Sequence, residues 1–418
     1  MGSEEYKRFE FHYGIVLLRT RRFQSLMDRL GANRISKPLG WFLLYVMPVA
    51  AALGFFLFLS QLSILLSPRG AVVASYVRTL SPLANLGLPG INPYIPIVYG
   101  WIALIVAMVI HEGAHGIVAR SLGLPVKASG LLFFLFLPIG AFVDVDENAL
   151  KAAKASYSAR VLAGGAGINL VFGVICLIIL VAIVGAFSPA SSGAGIINVG
   201  TGTPAGIAGV KPGDIITQVN GVSITDLNTV LGPNTTLKAG QFVNLTVYRN
   251  GNLLQFTKVQ LACCDIIENL RTGQNISYPY IGVAQVTKSD LTTTVSKYVT
   301  PLDNPWQYVC IPTLPVCQAR VPFSDSIGGF YTSPLGSAGV PIANLMYWFF
   351  FLNFNLAIFN ALPIYPLDGG QAFAVGVKAL GRGKMSEATL MRITGIATVV
   401  VIAMLFGVIA GPYLYNIF

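Results

Sequence analysis

Long runs without a charged residue dominate this chain of 418 residues. A helix that crosses a bilayer needs about 20 consecutive apolar residues, whereas a soluble core does not. Only 11% of the residues are charged, 54% are hydrophobic and the mean hydropathy is +0.68. The sequence therefore predicts a polytopic α-helical membrane protein. Five spans are expected, beginning near residues 41, 94, 161, 340 and 393.

The net charge of +10 would suggest nucleic acid as the partner of a soluble protein, but here the positive-inside rule explains it. Eight of the 27 Lys and Arg residues precede residue 38, which predicts a cytoplasmic N-terminus. The expected partner is the lipid bilayer, and no nucleic acid is expected. Residues 1–40 form a basic segment whose apolar run at 15–18 is too short to span. Two interpretations remain open: an amphipathic arm on the membrane surface, or a solvated tail.

A metal-binding motif, His-Glu-Gly-Ala-His at residues 111–115, stands at the end of the second apolar run. Positions i and i+4 of a helix share one face, so His111 and His115 can bind one zinc ion. Glu112 can then reach water beside the metal without being a ligand. A carboxylate at membrane depth is costly, which favours a functional reason for it. The motif predicts a membrane-embedded zinc site with Glu112 as its base.

The third ligand of this site has to come from elsewhere in the chain. The only other histidine, His12, lies in the N-terminal segment, so an Asp or Glu is expected. Asp368 follows two helix-breaking prolines, Pro363 and Pro366, at the inward end of the fourth span. It is predicted to reach the depth of the two histidines and to complete the ligand set. The alternative is an Asp that merely caps the next helix.

The segment 130–143 is apolar but too short for a helical span, and Pro138 and Gly140 interrupt it. It is expected to form a hairpin that dips towards the metal site, covered by protein or lining a water-filled cavity. If one edge of the hairpin stays open, an extended substrate could pair with it.

Between the third and fourth spans the composition becomes that of a soluble α/β domain, predicted to be extracytoplasmic. Alternating strands are expected at 196–199, 215–219, 242–249 and 253–261, the last two joined by an Asn-Gly turn. The stretch Thr-Pro-Ala-Gly-Ile-Ala-Gly-Val-Lys-Pro-Gly-Asp-Ile-Ile-Thr-Gln-Val-Asn-Gly, residues 203–221, resembles a PDZ domain. Residues 280–283 could add a further strand.

The predicted domain limits follow from these composition changes. They are a cytoplasmic segment 1–40, a transmembrane core 41–187, a PDZ-like domain 188–286, a cysteine-containing extension 287–339 and a second transmembrane part 340–418.

Four cysteines fall in the outer region, where disulfides are the expected state. They are Cys263, Cys264, Cys310 and Cys317. The adjacent Cys263 and Cys264 are expected to bond to different partners, with Cys310 and Cys317 as candidates. A second metal site is the weaker alternative, because no histidine lies nearby.

The combination of His-Glu-x-x-His with Asn-x-x-Pro-x-x-Pro-x-Asp-Gly at residues 360–369 resembles the site-2 protease family of intramembrane zinc metalloproteases, peptidase family M50. The resemblance implies one zinc ion per chain, with His111, His115 and Asp368 as ligands and Glu112 as the catalytic base. It also implies that Asn360 contacts substrate or an oxyanion. Asn169, in the Gly-rich start of the third span, is either a site residue or an interhelical hydrogen-bonding group.

The expected function is therefore zinc-dependent cleavage of the membrane segments of single-span proteins, in regulated intramembrane proteolysis with the PDZ-like domain as a substrate filter. One alternative is a membrane zinc protease that acts on soluble or lipid-modified peptides in a larger chamber. Another is a non-proteolytic receptor or scaffold with structural zinc, against which the presence of Glu112 argues.

Overall fold

The computed structural model of the protein describes residues 9–12, 15–134, 137–232, 235–249, 251–262, 278–382 and 384–415, without the side chains of 137–139. Contacts divide the chain into two compact units: Met1–Leu177 with Tyr347–Phe418, and Ile178–Met346. The second unit is longer at both ends than the insertion predicted at 188–339, because it includes the ends of the two flanking spans.

Five helices among these described residues are long and apolar enough to cross a membrane. They are α2 (Ser36–Leu65), α4 (Ile97–Ser121), α6 (Ala155–Gly185), α11 (Gly339–Ala361) and α13 (Glu387–Leu414). The prediction of five spans is confirmed. Helices α2, α6 and α13 begin one or two turns before the charge-free runs, and so they include Lys37, Arg160 and Arg392.

The N-terminal segment contributes two strands to a four-stranded antiparallel sheet. β1 (Phe9–His12) pairs with β2 (Ile15–Thr20), and β2 continues onto a hairpin made of β3 (Val126–Phe134) and β4 (Leu137–Val145). The expectation of a surface arm or a solvated tail is wrong for residues 15–20. Their apolar side chains belong to a strand whose partner, residues 129–134, lies far along the chain.

The hairpin expected at 130–143 is present and extends beyond those limits on both sides. The sheet order is β1-β2-β3-β4, and no described strand pairs with the outer edge of β4. This outer edge is the open hairpin edge that the sequence suggested.

Shorter helices join these elements. In the first unit they are α1 (Gln24–Gly31), α3 (Gly70–Thr79), α5 (Glu147–Ala152) and α12 (Asp368–Leu380). In the second unit they are α7 (Pro204–Ala208), α8 (Asn228–Leu231), α9 (Lys288–Tyr298) and α10 (Pro315–Gln318).

Helix α1 is fixed to the rest of the first unit by polar contacts and by a buried side chain. The Asp28 carboxylate forms an ion pair with the Arg120 guanidinium of α4, at 2.9 Å. The Gln24 amide donates to the carbonyls of Val126 and Lys127 on β3. Met27 is buried in a cluster with residues of α2, α4 and α6. Helix α1 is therefore held against both α4 and the sheet.

The second unit contains the strands that the sequence predicted. They are β5 (Ser188–Pro189), β6 (Ala194–Val199), β7 (Ile215–Val219), β8 (Val222–Ser223), β9 (Phe242–Arg249), β10 (Asn252–Gln260), β11 (Val283–Thr287) and β12 (Tyr331–Thr332). The main sheet has the order β10-β9-β7-β6-β11, with β8 on β7, while β5 pairs with β12. Residues 283–287 supply the additional strand expected near 280–283.

The Lys-Pro-Gly-Asp turn of the second unit owes its shape to Asp214, of which only 1% is exposed. Its carboxylate accepts two bonds from the Arg249 guanidinium, at 2.6 and 2.7 Å, and one from the backbone N–H of Lys211 at 2.8 Å. A buried carboxylate needs such partners, since an unpaired one would be too costly to desolvate. The pair ties the turn before β7 to the end of β9.

One disulfide joins Cys310 and Cys317. The expected cross-pairing of these two residues with Cys263 and Cys264 is therefore wrong. The shorter loop is closed because Cys317 lies inside α10 and the turn before this helix brings its Cα atom to 5.6 Å from that of Cys310. Cys263 and Cys264 lie outside the described residues.

Candidate metal centre

The two histidines of the motif lie on one face of α4, as their spacing predicts. Both are buried, with 7% of His111 and 8% of His115 exposed. Their ring centroids are 5.0 Å apart and the rings are nearly perpendicular. The run from Trp101 to Ile110 is apolar throughout, so the helix brings both imidazoles into the membrane-spanning part of the protein.

Asp368 reaches both histidines from the start of α12. Its Oδ2 atom lies 3.1 Å from Nε2 of His111 and 3.1 Å from Nε2 of His115. The chain approaches Asp368 through a non-helical turn, where the Tyr365 N–H donates to the Thr398 hydroxyl of α13 at 3.0 Å. The prolines end α11 as expected, and α13 holds the turn in place.

The two residues after Asp368 must be glycine for backbone reasons. A Cβ at Gly369 would lie 2.3 Å from the Leu362 carbonyl oxygen. A Cβ at Gly370 would lie 2.4 Å from the carbonyl carbon of Ile364. Backbone atoms cannot move aside as a side chain can, so these glycines allow α12 to begin directly against the preceding turn.

His115 is oriented by a backbone carbonyl. Its Nδ1 lies 2.7 Å from the carbonyl oxygen of Val161 on α6. When Nδ1 carries the proton and donates this bond, Nε2 keeps its lone pair and points at the centre. Metal-ligating histidines are commonly fixed in this way. His111 differs, because its buried Nδ1 has no hydrogen-bond partner in the described part of the chain.

Gly165 of α6 leaves the space into which the two imidazoles point. A Cβ at this position would lie 2.4 Å from Nε2 of His115 and 2.5 Å from Nε2 of His111. A Cβ at the neighbouring Gly164 would meet its nearest atom, in Ala114, only at 3.4 Å, an ordinary contact. The open side of the centre therefore depends on one glycine.

These atoms fit a metal ion. The three ligand atoms of His111, His115 and Asp368 all lie within 4.8 Å of one another. Two ligands at about 2.1 Å from a tetrahedral zinc ion are about 3.4 Å apart, close to the 3.1 Å between the carboxylate oxygen and each imidazole nitrogen. Two imidazoles and one carboxylate are also a ligand set of catalytic zinc sites, which keep a fourth position open.

Metal binding at this cluster requires Asp368 as its carboxylate and both imidazoles in their neutral form.

Glu112 is next to the ligands but makes a different contact. Its Oε2 accepts a hydrogen bond from the backbone N–H of Val143 at 2.8 Å. This N–H points away from β3 and towards the outer edge of β4, since it bonds to α4 instead of to the neighbouring strand. The bond fixes one carboxylate oxygen and leaves the other oxygen to act as a base.

The structure places the two candidate asparagines differently. Asn169 lies one helical turn from Gly165 on α6, is completely buried, and has neither amide atom bonded to a described residue. The interhelical hydrogen bond considered as its alternative role is not observed there. Asn360 lies in the last turn of α11, partly exposed.

Sequence reasoning did not identify Val161, Gly165 and Val143. Two of them act through backbone atoms, so their residue type carries no signal. Gly165 lies in the Gly-rich start of the third span, where small residues commonly serve close helix packing and so do not by themselves indicate a site.

The fold and the cluster define the class of protein: an integral, multi-pass membrane protein with a buried His-His-Asp centre that could bind a metal. The model of peptidase family M50 matches residues 99–407, and the chain belongs to this family. The zinc metalloprotease RasP of Oceanobacillus iheyensis is 26% identical over 190 residues, which cover 44% of this chain and 42% of RasP.

An uncharacterised protein of Methanocaldococcus jannaschii is similar over a longer stretch. It is 24% identical over 362 residues, which cover 84% of this chain and 75% of that protein. The chain thus spans most of the archaeal relative but less than half of RasP. The family and the name of RasP support a zinc metalloprotease, which is a hydrolase.

Proposed function

We propose that this protein is a zinc-dependent intramembrane endopeptidase that cleaves the membrane segments of single-span proteins. The observation that carries the proposal is the His111, His115 and Asp368 cluster with Glu112 beside it, on a helix apolar enough to span the membrane. A purely structural zinc site would need no adjacent base.

The residues would divide the chemistry as follows. His111, His115 and Asp368 would hold one zinc ion, which when bound polarises a carbonyl and lowers the pKa of water towards ~7. Glu112 takes a proton from the attacking water and then gives it to the leaving amine. The Val143 N–H holds the carboxylate of Glu112 in position for both transfers.

Asn169 is the stronger of the two asparagine candidates for a contact with the substrate. Its amide is buried and unpaired in the described structure, one turn from the glycine that borders the centre. A buried amide without a partner is costly, which favours a group that is bonded only when substrate is present. Asn360 remains a candidate at the end of α11.

The outer edge of β4 supports an extended binding mode for the substrate. A helical substrate hides its carbonyls in backbone hydrogen bonds, so cleavage requires local unwinding. The unwound stretch can regain hydrogen bonds by pairing with the outer edge of β4, near Ala141. Because the next outward N–H, that of Val143, binds Glu112, a strand paired at this edge leads directly to the base.

The second unit is proposed to be extracytoplasmic and to limit access to the centre. Its supporting observations are the PDZ-like sequence and the insertion between the third and fourth spans. In this proposal it excludes substrates with bulky outer domains, as regulated intramembrane proteolysis requires.

The test is cleavage of a single-span reporter by purified protein in detergent, for wild type and for Glu112→Gln. Zinc is counted in both. We expect about one zinc per chain in both proteins, cleavage by wild type alone, and loss of that cleavage on chelation. If both bind zinc and neither cuts any of several reporters, the receptor or scaffold alternative with structural zinc replaces the protease.

A further inference from the structure

An apolar cavity of about 370 Å³ lies beside Glu112 in the first unit. Its walls come from β2, α1, α4, β3 and β4. Three of its sixteen lining residues, Thr20, Glu112 and Ser129, are neither apolar nor glycine. The size is near the lower end of the range for ligand pockets, about 300–1,000 Å³. The cavity suits a compact apolar group and offers no charged partner except Glu112.

Helix α4 presents a separate face to this cavity. Val109, Gly113 and Ile117 recur at every fourth position and line it, while His111 and His115 point to the metal centre. The cavity and the centre therefore lie on nearly opposite faces of α4, and Glu112, which lines the cavity, projects from the side of the helix between them.

The opposite wall is preformed. Leu26 and Met27 of α1 line the cavity, and α1 is anchored by the Asp28–Arg120 ion pair at 2.9 Å and by the bonds from Gln24 to β3. A wall held by two other elements does not need to be ordered when a ligand enters, which lowers the entropic cost of binding.

Gly113 leaves the cavity open at the wall nearest the base. A Cβ added there would meet no atom within 4 Å. Packing therefore does not require glycine at this position, and the missing side chain leaves room inside the cavity. Gly395 on α13 has the same property, with nothing within 4 Å of an added Cβ, but it does not line the cavity.

We propose that this cavity is a specificity pocket for one large apolar side chain of the substrate, of the size of Leu or Phe, at a residue flanking the scissile bond. The proposal rests on the proposed function. Val143 is both a wall of the pocket and the donor to Glu112, so a peptide on the β4 edge places an alternate side chain at the pocket mouth as its backbone passes the base.

The N-terminal segment acquires a role in this proposal. Leu18 and Thr20 of β2, with α1, form the side of the pocket that α4 and the hairpin do not supply. Residues before the first span would therefore help to select the substrate residue at the cut.

The experiment compares reporters that carry Ala, Leu or Phe at each position flanking the cut. It measures kcat/KM for wild type, Gly113→Leu and the matched control Gly395→Leu. Wild type should prefer Leu over Ala at one position by about tenfold or more, because each methylene in an apolar pocket changes kcat/KM by about 10- to 200-fold. Gly113→Leu should lower this Leu-to-Ala ratio at least tenfold, and Gly395→Leu should leave it unchanged.

A second variant tests the opposite change. Leu131→Ala removes part of the wall contributed by β3 and so enlarges the pocket. The variant should shift the preference from Leu towards Phe. Ratios between substrates cancel any loss of overall activity, so a partly impaired variant still gives an answer. Binding of the same reporters to the Glu112→Gln background provides a readout independent of turnover, and the same order of preference is expected.

Three outcomes would overturn the inference. The first is a flat preference in wild type, the second a Gly113→Leu variant that slows all reporters equally, and the third an unchanged ratio in both variants. If rates depend instead on the acyl-chain length of the surrounding lipid, the cavity holds a lipid chain. If wild type cuts no reporter at all, the proposed function fails, and the binding series alone decides about the pocket.

Discussion

Gly165 shows how strictly a single residue limits the centre. Both imidazole Nε2 atoms lie within 2.5 Å of where a Cβ would stand at this position. An alanine here has to displace the imidazole atoms that would bind a metal, whereas at the neighbouring Gly164 the nearest atoms lie at an ordinary 3.4 Å. The glycine is thus part of the centre although it contributes no ligand.

The Gly165→Ala variant should lose zinc, whereas the neighbouring Gly164→Ala variant should keep it. We expect zinc affinity to fall roughly 10- to 100-fold in the first, the range for residues that position metal ligands. At Gly164 the added methyl group meets atoms at 3.4 Å, so it is tolerated. Zinc content after dialysis against increasing concentrations of a chelator measures the affinity of both variants. Thermal melting shows whether each variant is folded. Equal zinc retention in the two variants would show that Gly165 does not border the ion.

The residues of the centre differ in how far the sequence could identify them. His111 and His115 follow from helical periodicity, which is local, and Asp368 follows from its Pro-rich approach. Val161 and Val143 act on the centre through backbone atoms, which every residue type carries, so no sequence pattern marks them as part of it. The role of Gly165 depends on which face of α6 packs against α4, and this can be read only from the folded structure.

At the scale of elements, the four-stranded sheet is the feature that the sequence least predicts. The hairpin of β3 and β4 was expected from a short apolar run with Pro and Gly. Strand β2 was not expected, because four apolar residues in a basic segment have no local partner and the partner strand follows two spans later. In the second unit the turn signals and strands are local, and there the prediction agreed with the structure.

The open edge of β4 leads to a prediction for Ala141→Pro. A proline on an edge strand leaves the sheet intact where the N–H that it lacks would have pointed outward. At position 141 it would remove one hydrogen bond to a paired substrate. We expect the loss of one hydrogen bond to weaken transition-state binding by about 0.5–1.5 kcal/mol. kcat/KM should therefore fall by a few-fold to about tenfold. Ala141→Ser, which keeps the N–H and a small side chain, is the control. Unchanged cleavage by the proline variant, with normal zinc content, would exclude pairing at this position.

At the scale of the whole molecule, the metal centre and the proposed access filter belong to different units. The centre and its pocket are built entirely from residues of the first unit, while the second unit contains its own sheet and its own buried ion pair. Each unit can therefore be perturbed without changing the residues of the other.

Asp214→Ala tests the access filter through this separation. Removing one partner of a buried ion pair lowers the free energy of unfolding by about 3–5 kcal/mol. We expect about 3 kcal/mol here, because 24% of the Arg249 side chain is exposed. The expected result is that wild type cuts a reporter with a bulky outer domain more slowly than one with a short tail, and that the variant reduces this difference. Lys211→Ala is the control, since only its backbone contacts Asp214. Identical discrimination by all three proteins would argue against the filter.

His115 and Asp368 lie 253 positions apart in the chain although their side chains are 3.1 Å apart. During synthesis the histidines enter the membrane long before the ribosome reaches the carboxylate. Until then the nascent protein has the two imidazoles of the cluster but not its carboxylate. A centre assembled in this order is complete only after the entire second unit has been made.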